Sequence, residues 1–445
     1  MWSPQLLRVA RYAVALAVVA SISVDARGQT SPAPPVSEAR ALPLSLAEAV
    51  ATARMRGFDV LVAEASVRSA QAGVRLAGQP PNPVLSAGPS RRLDCFSGNC
   101  PGAWGMFATL SDQGLIEGAL TRKRRLREDA ATHALEASRF GRANAERVVV
   151  AQTKVQYVQV ATAQARVELS REVAASLQKS VEVNRVRYPR VIDEGQLARV
   201  EQEAMRAQQE VDLALRQLRQ EQIDLAVMLG TTGPIPEISV DRDVLVFHVP
   251  DALATLDKTS LLRIAMDNRA DRKQAVAQVA QAEAAVSLAE RQRFPDVSLL
   301  LQYQQQGTGD AAPSPPTLSV GVGVPLPLFY QQQGEIGRAE AERQAALVTR
   351  HRLESAVAAD LESAVNTFST SRRIVERYES ALLARARRAR DITQIQFDAG
   401  SATLTDLLDA QRSWVQATGG YYAELVSYWT SVFLLEQALG RELVR

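Results

Sequence analysis

Groups able to do chemistry are scarce in this chain. Its 445 residues include two Cys and three His. His133, His248 and His351 stand far apart and none has a partner cluster, so no Cys/His metal cage and no nucleophile–base arrangement can be read from them. No catalytic, cofactor-binding or metal-ligating residue is therefore expected. Aromatic residues make up only 5%. Ala, Gln, Arg, Glu and Leu dominate long stretches instead, a composition of long helices rather than a thick mixed core. No charge sign prevails: residues 1–28 hold three of the 51 basic residues and one of the 49 acidic ones, leaving 48 of each. That balance excludes a strongly basic, nucleic-acid-binding chain. Beyond the N-terminus there is no apolar run of about 20 residues, the length a membrane helix needs. The best stretch, Leu425–Leu435, is bounded by Glu424 and Glu436.

The N-terminus carries a shorter run. Arg8 and Arg11 precede the apolar segment Tyr12–Val24, and small residues follow, with Val24-Asp25-Ala26 or Ala26-Arg27-Gly28 as cleavage sites. A basic start, an apolar middle and a small-residue exit read as a secretory signal peptide over 1–28. About 13 apolar residues are too few to cross a ~30 Å hydrocarbon core as a helix. The mature chain is thus exported without a transmembrane helix. It is periplasmic or secreted, or it crosses an outer membrane as strands. In such an oxidising setting Cys95 and Cys100 read as a structural disulfide. Their C-x4-C spacing differs from the redox C-x-x-C, and a redox pair is the other reading.

The chain repeats itself at an offset of roughly 210 residues, a feature to establish before any other. Ala53–Asp59 pairs with Ala265–Asp271, and Pro81–Leu85 with Pro295–Leu299. Arg187–Val191 pairs with Gln396–Gly400, and Met228-Leu229-Gly230 with Ala438-Leu439-Gly440. Val211, Leu215, Leu218, Gln222, Leu225 and Leu229 step by four and three, as do Tyr421, Leu425, Tyr428, Val432, Leu435 and Leu439. That spacing is a coiled-coil seam. The first repeat covers 29–230, a Pro-rich linker without heptads covers 231–256, and the second repeat covers 257–445.

Each half reads alike. Helices are expected over 46–77, 116–186 and 195–229, then over 259–292, 334–392 and 402–439. At 1.5 Å per residue, ~35 helical residues already span ~50 Å. Between the helices lie segments of strict period two, such as Leu299, Leu301 and Tyr303 alternating with Ser298 and Gln302, which makes a strand with two different faces. Strands are expected near 83–90, 103–111, 297–304 and 317–325, with surface loops near 91–102 and 305–316. Four strands cannot close a barrel, and open edges invite other chains. The economical solution is a barrel shared between identical subunits, apolar faces toward outer-membrane lipid and small or polar faces inward; membrane strands need only ~9–11 residues.

The motifs Leu46-Ala47-Glu48-Ala49, Gln79-Pro80-Pro81-Asn82-Pro83, Phe294-Pro295-Asp296, Gln333-Gly334-Glu335-Ile336, Phe397-Asp398-Ala399-Gly400 and Asp406–Arg412 occur in that order. With the duplication, they make the mature chain resemble the TolC family of outer-membrane efflux factors. The resemblance implies a mainly α fold with a small β part: long coiled-coil helical hairpins plus four strands per chain, contributing to a trimeric outer-membrane β-barrel and a periplasmic α-barrel. It implies no enzymatic activity but an exit duct, a homotrimer working with a periplasmic adaptor (membrane fusion) protein and an inner-membrane pump. Glu194–Glu201 looks like the cobalt-zinc-cadmium resistance branch, which points to heavy-metal cations and a pump of the resistance-nodulation-division type. A duct for drugs or for type I protein secretion, and a periplasmic coiled-coil scaffold, are the other readings.

Two sites follow from the resemblance. Turns near 188–195 and 397–403, where Pro189, Gly195 and Gly400 interrupt long helices, would meet the adaptor through Pro189, Val191, Ile192, Gly195, Asp398 and Gly400. The tips are unequal, since Val191 stands where the second half has Gly400. Asp406 and Asp409, one helical turn apart on one face, match the aspartates that narrow the closed entrance in the family. Ala402 stands where the best-known member has an arginine that helps hold it shut. Converging carboxylates repel one another, attract cations and raise carboxylate pKa values. The plainer reading is two acids favoured at a helix N-terminus.

Overall fold

A computed structural model describes residues 42–91, 93, 103–112, 121–190, 192–250, 257–307 and 315–443. The signal segment, Val191 and both cysteines lie outside them.

Ser45 opens the first helix, α1 (Leu46–Arg56), through a capping box: its hydroxyl accepts the Glu48 N–H at 3.3 Å while the Glu48 carboxylate takes the Ser45 N–H at 3.0 Å. The single helix expected over 46–77 is in fact two, because Gly57 turns extended (ψ 128°) and α2 (Phe58–Gly78) restarts after it. The single helix expected over 259–292 divides at the matching residue: α5 (Lys258–Asn268) ends at Arg269 (ψ 121°) and α6 (Ala270–Arg291) follows. The reason is tertiary. Gly230 and Gly440, which end the long return helix of each half, lie in the left-handed region at φ +74° and +66°. A Cβ on Gly230 would collide with the Arg56 carbonyl, and one on Gly440 would lie 3.1 Å from the Arg269 nitrogen. The end of one helix thus seats on the break of another.

Between the helices of the first half come β2 (Val84–Arg91) and β3 (Trp104–Asp112), after a run of prolines that cannot continue α2. Helix α3 (Lys123–Arg187) has 65 residues, about 98 Å at the standard rise, and turns back into α4 (Glu194–Met228). The second half adds β5 (Ser298–Gln306), β6 (Thr317–Gly323) and α7 (Gln333–Arg377). A π turn at Tyr378–Leu382 joins α7 to α8 (Leu383–Asp398), and α9 (Leu404–Leu439) returns. The helix expected to stop near 392 therefore runs to 398. The π turn faces Gly420, where the Tyr378 hydroxyl occupies the space of a Cβ.

The described part of the proline-rich stretch, 231–250, is bound into the fold. Its strand β4 (Ile238–Val240) pairs in parallel with β1 (Leu42–Leu44). Ile238 and Val240 join Ala49, Ala53, Val60, Tyr157 and Leu225 in one core cluster. Tyr157 donates its hydroxyl to the Leu44 carbonyl (2.8 Å) and accepts the Asp241 N–H (2.9 Å). The next face of α3 carries Val158 into a second cluster with Phe368, Tyr428, Trp429 and Phe433.

Two ionic contacts tie distant segments. Lys154 and Glu436, both almost fully buried, meet at 2.7 Å. Arg269 bonds Asp271 (2.6 Å) and Asp360 (2.9 Å), and Arg147 approaches Asp271 at 3.3 Å. Burial alone would push the Asp271 carboxyl up. The Arg269 hydrogen bonds and the Arg147 and Arg269 charges outweigh it and hold the carboxyl below the ordinary carboxylate range.

Candidate functional site

The four long strands form one antiparallel sheet in the order β2-β3-β5-β6, so the two hairpins lie side by side. The register sorts their side chains. Leu85, Leu110, Leu301 and Val320 stand in one row and Ala87, Ala108, Tyr303 and Leu318 in the next, all on one face. Leu85, Leu318 and Val320 are about 70% exposed. The opposite face carries Ser86, Thr109, Gln302 and Ser319 in one row and Gly88, Phe107, Gln304 and Thr317 in another. One face is apolar and exposed, the other mixes small and polar residues with Phe107 and Leu300, and the edges β2 and β6 are unpaired among the described residues; such a surface does not suit water, and a further strand on each side would complete it. The loops expected to join the strands at 91–102 and 305–316 fall mostly outside the described residues, and Cys95 and Cys100 with them.

The four strands meet helices at one edge. Val84 pairs with Ser111, Asp112 with Leu299, and Ser298 with Gly323. Each long helical pair turns far from this edge, and there the sequence places both tips. At the first, Tyr188–Pro189 is cis, Pro189 and Gly195 are exposed, Ile192 is half-buried, and Asp193 caps α4 by accepting the Gln196 N–H at 2.7 Å. At the second, Gly400 takes φ +78°, and the Ser401 N–H returns to the Gln396 carbonyl at 2.8 Å. The structure joins the two tips: Arg187 donates to the Asp398 carbonyl at 3.1 Å and lies over the Phe397 ring. Asp398 was read from the sequence as a tip residue, but its contact with Arg187 was not, because residues 211 apart leave no local signal.

Asp406 and Asp409 both face solvent in the first turns of α9. Asp406 belongs to a capping box. Its carboxylate accepts the Thr403 hydroxyl (2.6 Å) and N–H (3.0 Å), and the Thr403 hydroxyl accepts the Asp406 N–H (3.2 Å). Within one chain these bonds hold the Asp406 carboxyl below the ordinary carboxylate range. The pattern Thr403-x-x-Asp406 was legible as a box signature. Asp409 lies 3.7 Å from Arg412, whose other nitrogen reaches Glu203 on α4 at 2.8 Å. Open grooves flank the tips. One of 880 Å³ runs between α3 and α8 past Lys179, Arg187, Arg390 and Asp398. Another of 860 Å³ runs between α3 and α4 past Arg171, Arg185, Glu201 and Met205. Among the described residues no helix is long and apolar enough to cross a membrane.

This combination of an open four-stranded sheet and very long paired helices is the fold of outer-membrane efflux channels. CusC shares it at a TM-score of 0.73 and 16% identity, over 95% of this chain and all (100%) of that one. The Campylobacter jejuni CmeC outer membrane channel matches at 0.74 and 17% over 89% and 85%. The open-state MtrE channel of Neisseria gonorrhoeae matches at 0.71 and 18% over 95% and 96%. Residues 261–441 match the family model of the outer membrane efflux protein. No curated protein sequence matches the chain. Together the family match and the fold bear out the resemblance to the TolC family. Family and fold are those of channel proteins, not of enzymes.

Proposed function

We propose that three copies of this chain form the outer-membrane exit duct of a tripartite efflux system, joined through a periplasmic adaptor to an inner-membrane pump of the resistance-nodulation-division type. The observation that carries this reading is the sheet: one face apolar and exposed, the other richer in small and polar residues, and both edges open among the described residues. Threefold closure would make twelve strands, with Leu85, Val320 and their row toward lipid. Cross-linking in native membranes then gives a three-subunit species, and a stable soluble periplasmic monomer would overturn the reading. Heavy-metal cations are the proposed cargo, supported by the Glu194–Glu201 stretch. Growth of a deletion strain across metals, dyes and antibiotics decides among metal export, drug export and type I secretion. The chain itself divides as two copies of one unit, 29–230 and 257–445, about the segment 231–256.

The adaptor contact is proposed at Pro189, Val191, Ile192, Gly195, Asp398 and Gly400. Nothing lies within 4 Å of the space a Gly400 side chain would fill, and Asn tolerates the left-handed region. Gly400→Asn and Ile192→Trp should therefore abolish resistance while leaving the protein in the membrane; normal resistance in both excludes the contact. Asp406 and Asp409 are proposed to line the closed entrance, six carboxylates around the axis. Cys95 and Cys100 are proposed to be bonded at the outer surface, and free-thiol labelling of both on whole cells would refute this.

A further inference from the structure

We infer that the junction between the sheet and the helices binds the phosphates of anionic phospholipid. The inference rests on reading the sheet as part of a membrane barrel. Two arginine-rich segments meet there, the start of α3 and the end of α6. Arg291 donates to the Thr121 carbonyl at 2.8 Å, and Lys123 reaches the Phe294 carbonyl and the Asp296 carboxylate, each at 2.6 Å. Lys123 is buried and serves this clasp. Arg122, Arg124, Arg125 and Arg293 remain exposed, with no carboxylate at ion-pair distance among the described residues. Exposed arginines elsewhere do have such partners, as Arg185 of α3 has Glu201 and Arg338 of α7 has Glu335.

Apolar surface lies at the same edge. Phe294, 55% exposed, follows Arg293 directly, with the Arg291 guanidinium 4.9 Å from its ring centre. The exposed row Leu318, Val320 and Val322 is followed, past the last ladder residue of β6, by the exposed Val324, Leu326, Leu328 and the fully exposed Phe329. No charged residue occurs from Ala311 to Gly334. Unpaired guanidinium groups beside an uncharged, aromatic-tipped apolar strip match an amphiphile whose phosphate takes the forks while its chains follow the sheet face. Free phosphate would use the arginines but leave the strip uncovered, so the ligand is lipid.

The test is native mass spectrometry of the assembled protein taken from bilayers of equal phosphatidylglycerol and phosphatidylcholine. The variant Arg122→Gln/Arg124→Gln/Arg125→Gln should retain phosphatidylglycerol about fivefold less per arginine removed. Gln occupies the matching left-handed position at Gln332, so the change at Arg122 spares the backbone. Equal retention of both lipids, equal retention by variant and parent, or displacement by excess inorganic phosphate overturns the inference. A second arm uses nitroxides on Phe329→Cys and on Val320→Cys in a Cys95→Ser/Cys100→Ser background. Both should collide with oxygen and be shielded from a water-soluble nickel chelate, residue 329 at shallower depth. A label at 320 open to the chelate means that the barrel reading has failed. A label at 320 in lipid with one at 329 in water, or shielded from both probes, means that only the phospholipid site has failed.

Discussion

The same helix break occurs in both halves and is held by different chemistry. In the first, Gly57 packs its backbone against Val149 and the preceding helix carbonyl, and Asp59 at the start of α2 faces solvent. In the second, Arg269 stands where Gly57 does, and Asp271 is locked among Arg269 and Arg147. Both breaks receive the end of a long helix, and the second adds an ionic network around the buried Arg269 that reaches α3 and α7. Two breaks of the same backbone form are thus stabilised differently, and only the second draws on charges far apart in the chain.

Aligned substitutions should separate the halves, most strongly at the breaks. Asp271→Ala leaves Arg147 without a carboxylate and Arg269 with Asp360 alone, and should cost about 1–3 kcal/mol, whereas Asp59→Ala should stay within ~0.5 kcal/mol. Thermal unfolding followed by helical circular dichroism in detergent compares them, and equal losses would erase the distinction. The pH dependence has a definite sign. The folded-state pKa of Asp271 is lowered, so its contribution is full above the unfolded value of about 3.9 and is lost as pH falls through the folded one. The parent should soften below about pH 4 and the Asp271→Ala variant less so.

The helix ends come next. Gly230→Ala adds a collision with the Arg56 carbonyl to left-handed strain, while Gly440→Ala meets its neighbours more loosely. Losses of roughly 3 kcal/mol and roughly 1–2 kcal/mol are expected in the same assay. At the tips the effects shrink. Thr403→Ala removes a two-way box and Asp193→Ala a single cap, each costing about 1 kcal/mol. Amide exchange should quicken in the first turn of α9 in one variant and of α4 in the other, with the larger change in α9. Uniform exchange across both tips would show that the caps do not matter. The smallest change in stability separates cap from charge: Asp406→Asn keeps an acceptor for Thr403 and loses the carboxylate. With Asp409→Asn it should weaken block by trivalent cations in planar bilayers while tip exchange stays near the parent's. Unchanged block would leave Asp406 as a cap alone.

Local pattern was enough for the strands, because Leu299–Tyr303 and Leu318–Val322 announce two faces whatever covers them. It was enough for the long helices and their turns too, since Pro189, Gly400 and the runs between them act within a few residues. It also marks the second capping box in Thr403-x-x-Asp406, in keeping with the plainer reading of Asp406 as an acid favoured at a helix N-terminus. What the sequence could not specify is which segments meet. The breaks at Gly57 and Arg269 exist because Gly230 and Gly440 arrive there from residues far along the chain. Lys154 finds Glu436 across 282 positions, and the two hairpins become one sheet only when β3 pairs β5. Periodicity records what a segment must bury or expose; its partner is set by packing over the whole chain, where hydrophobic burial is non-directional and the few long-range charges and close approaches select the arrangement.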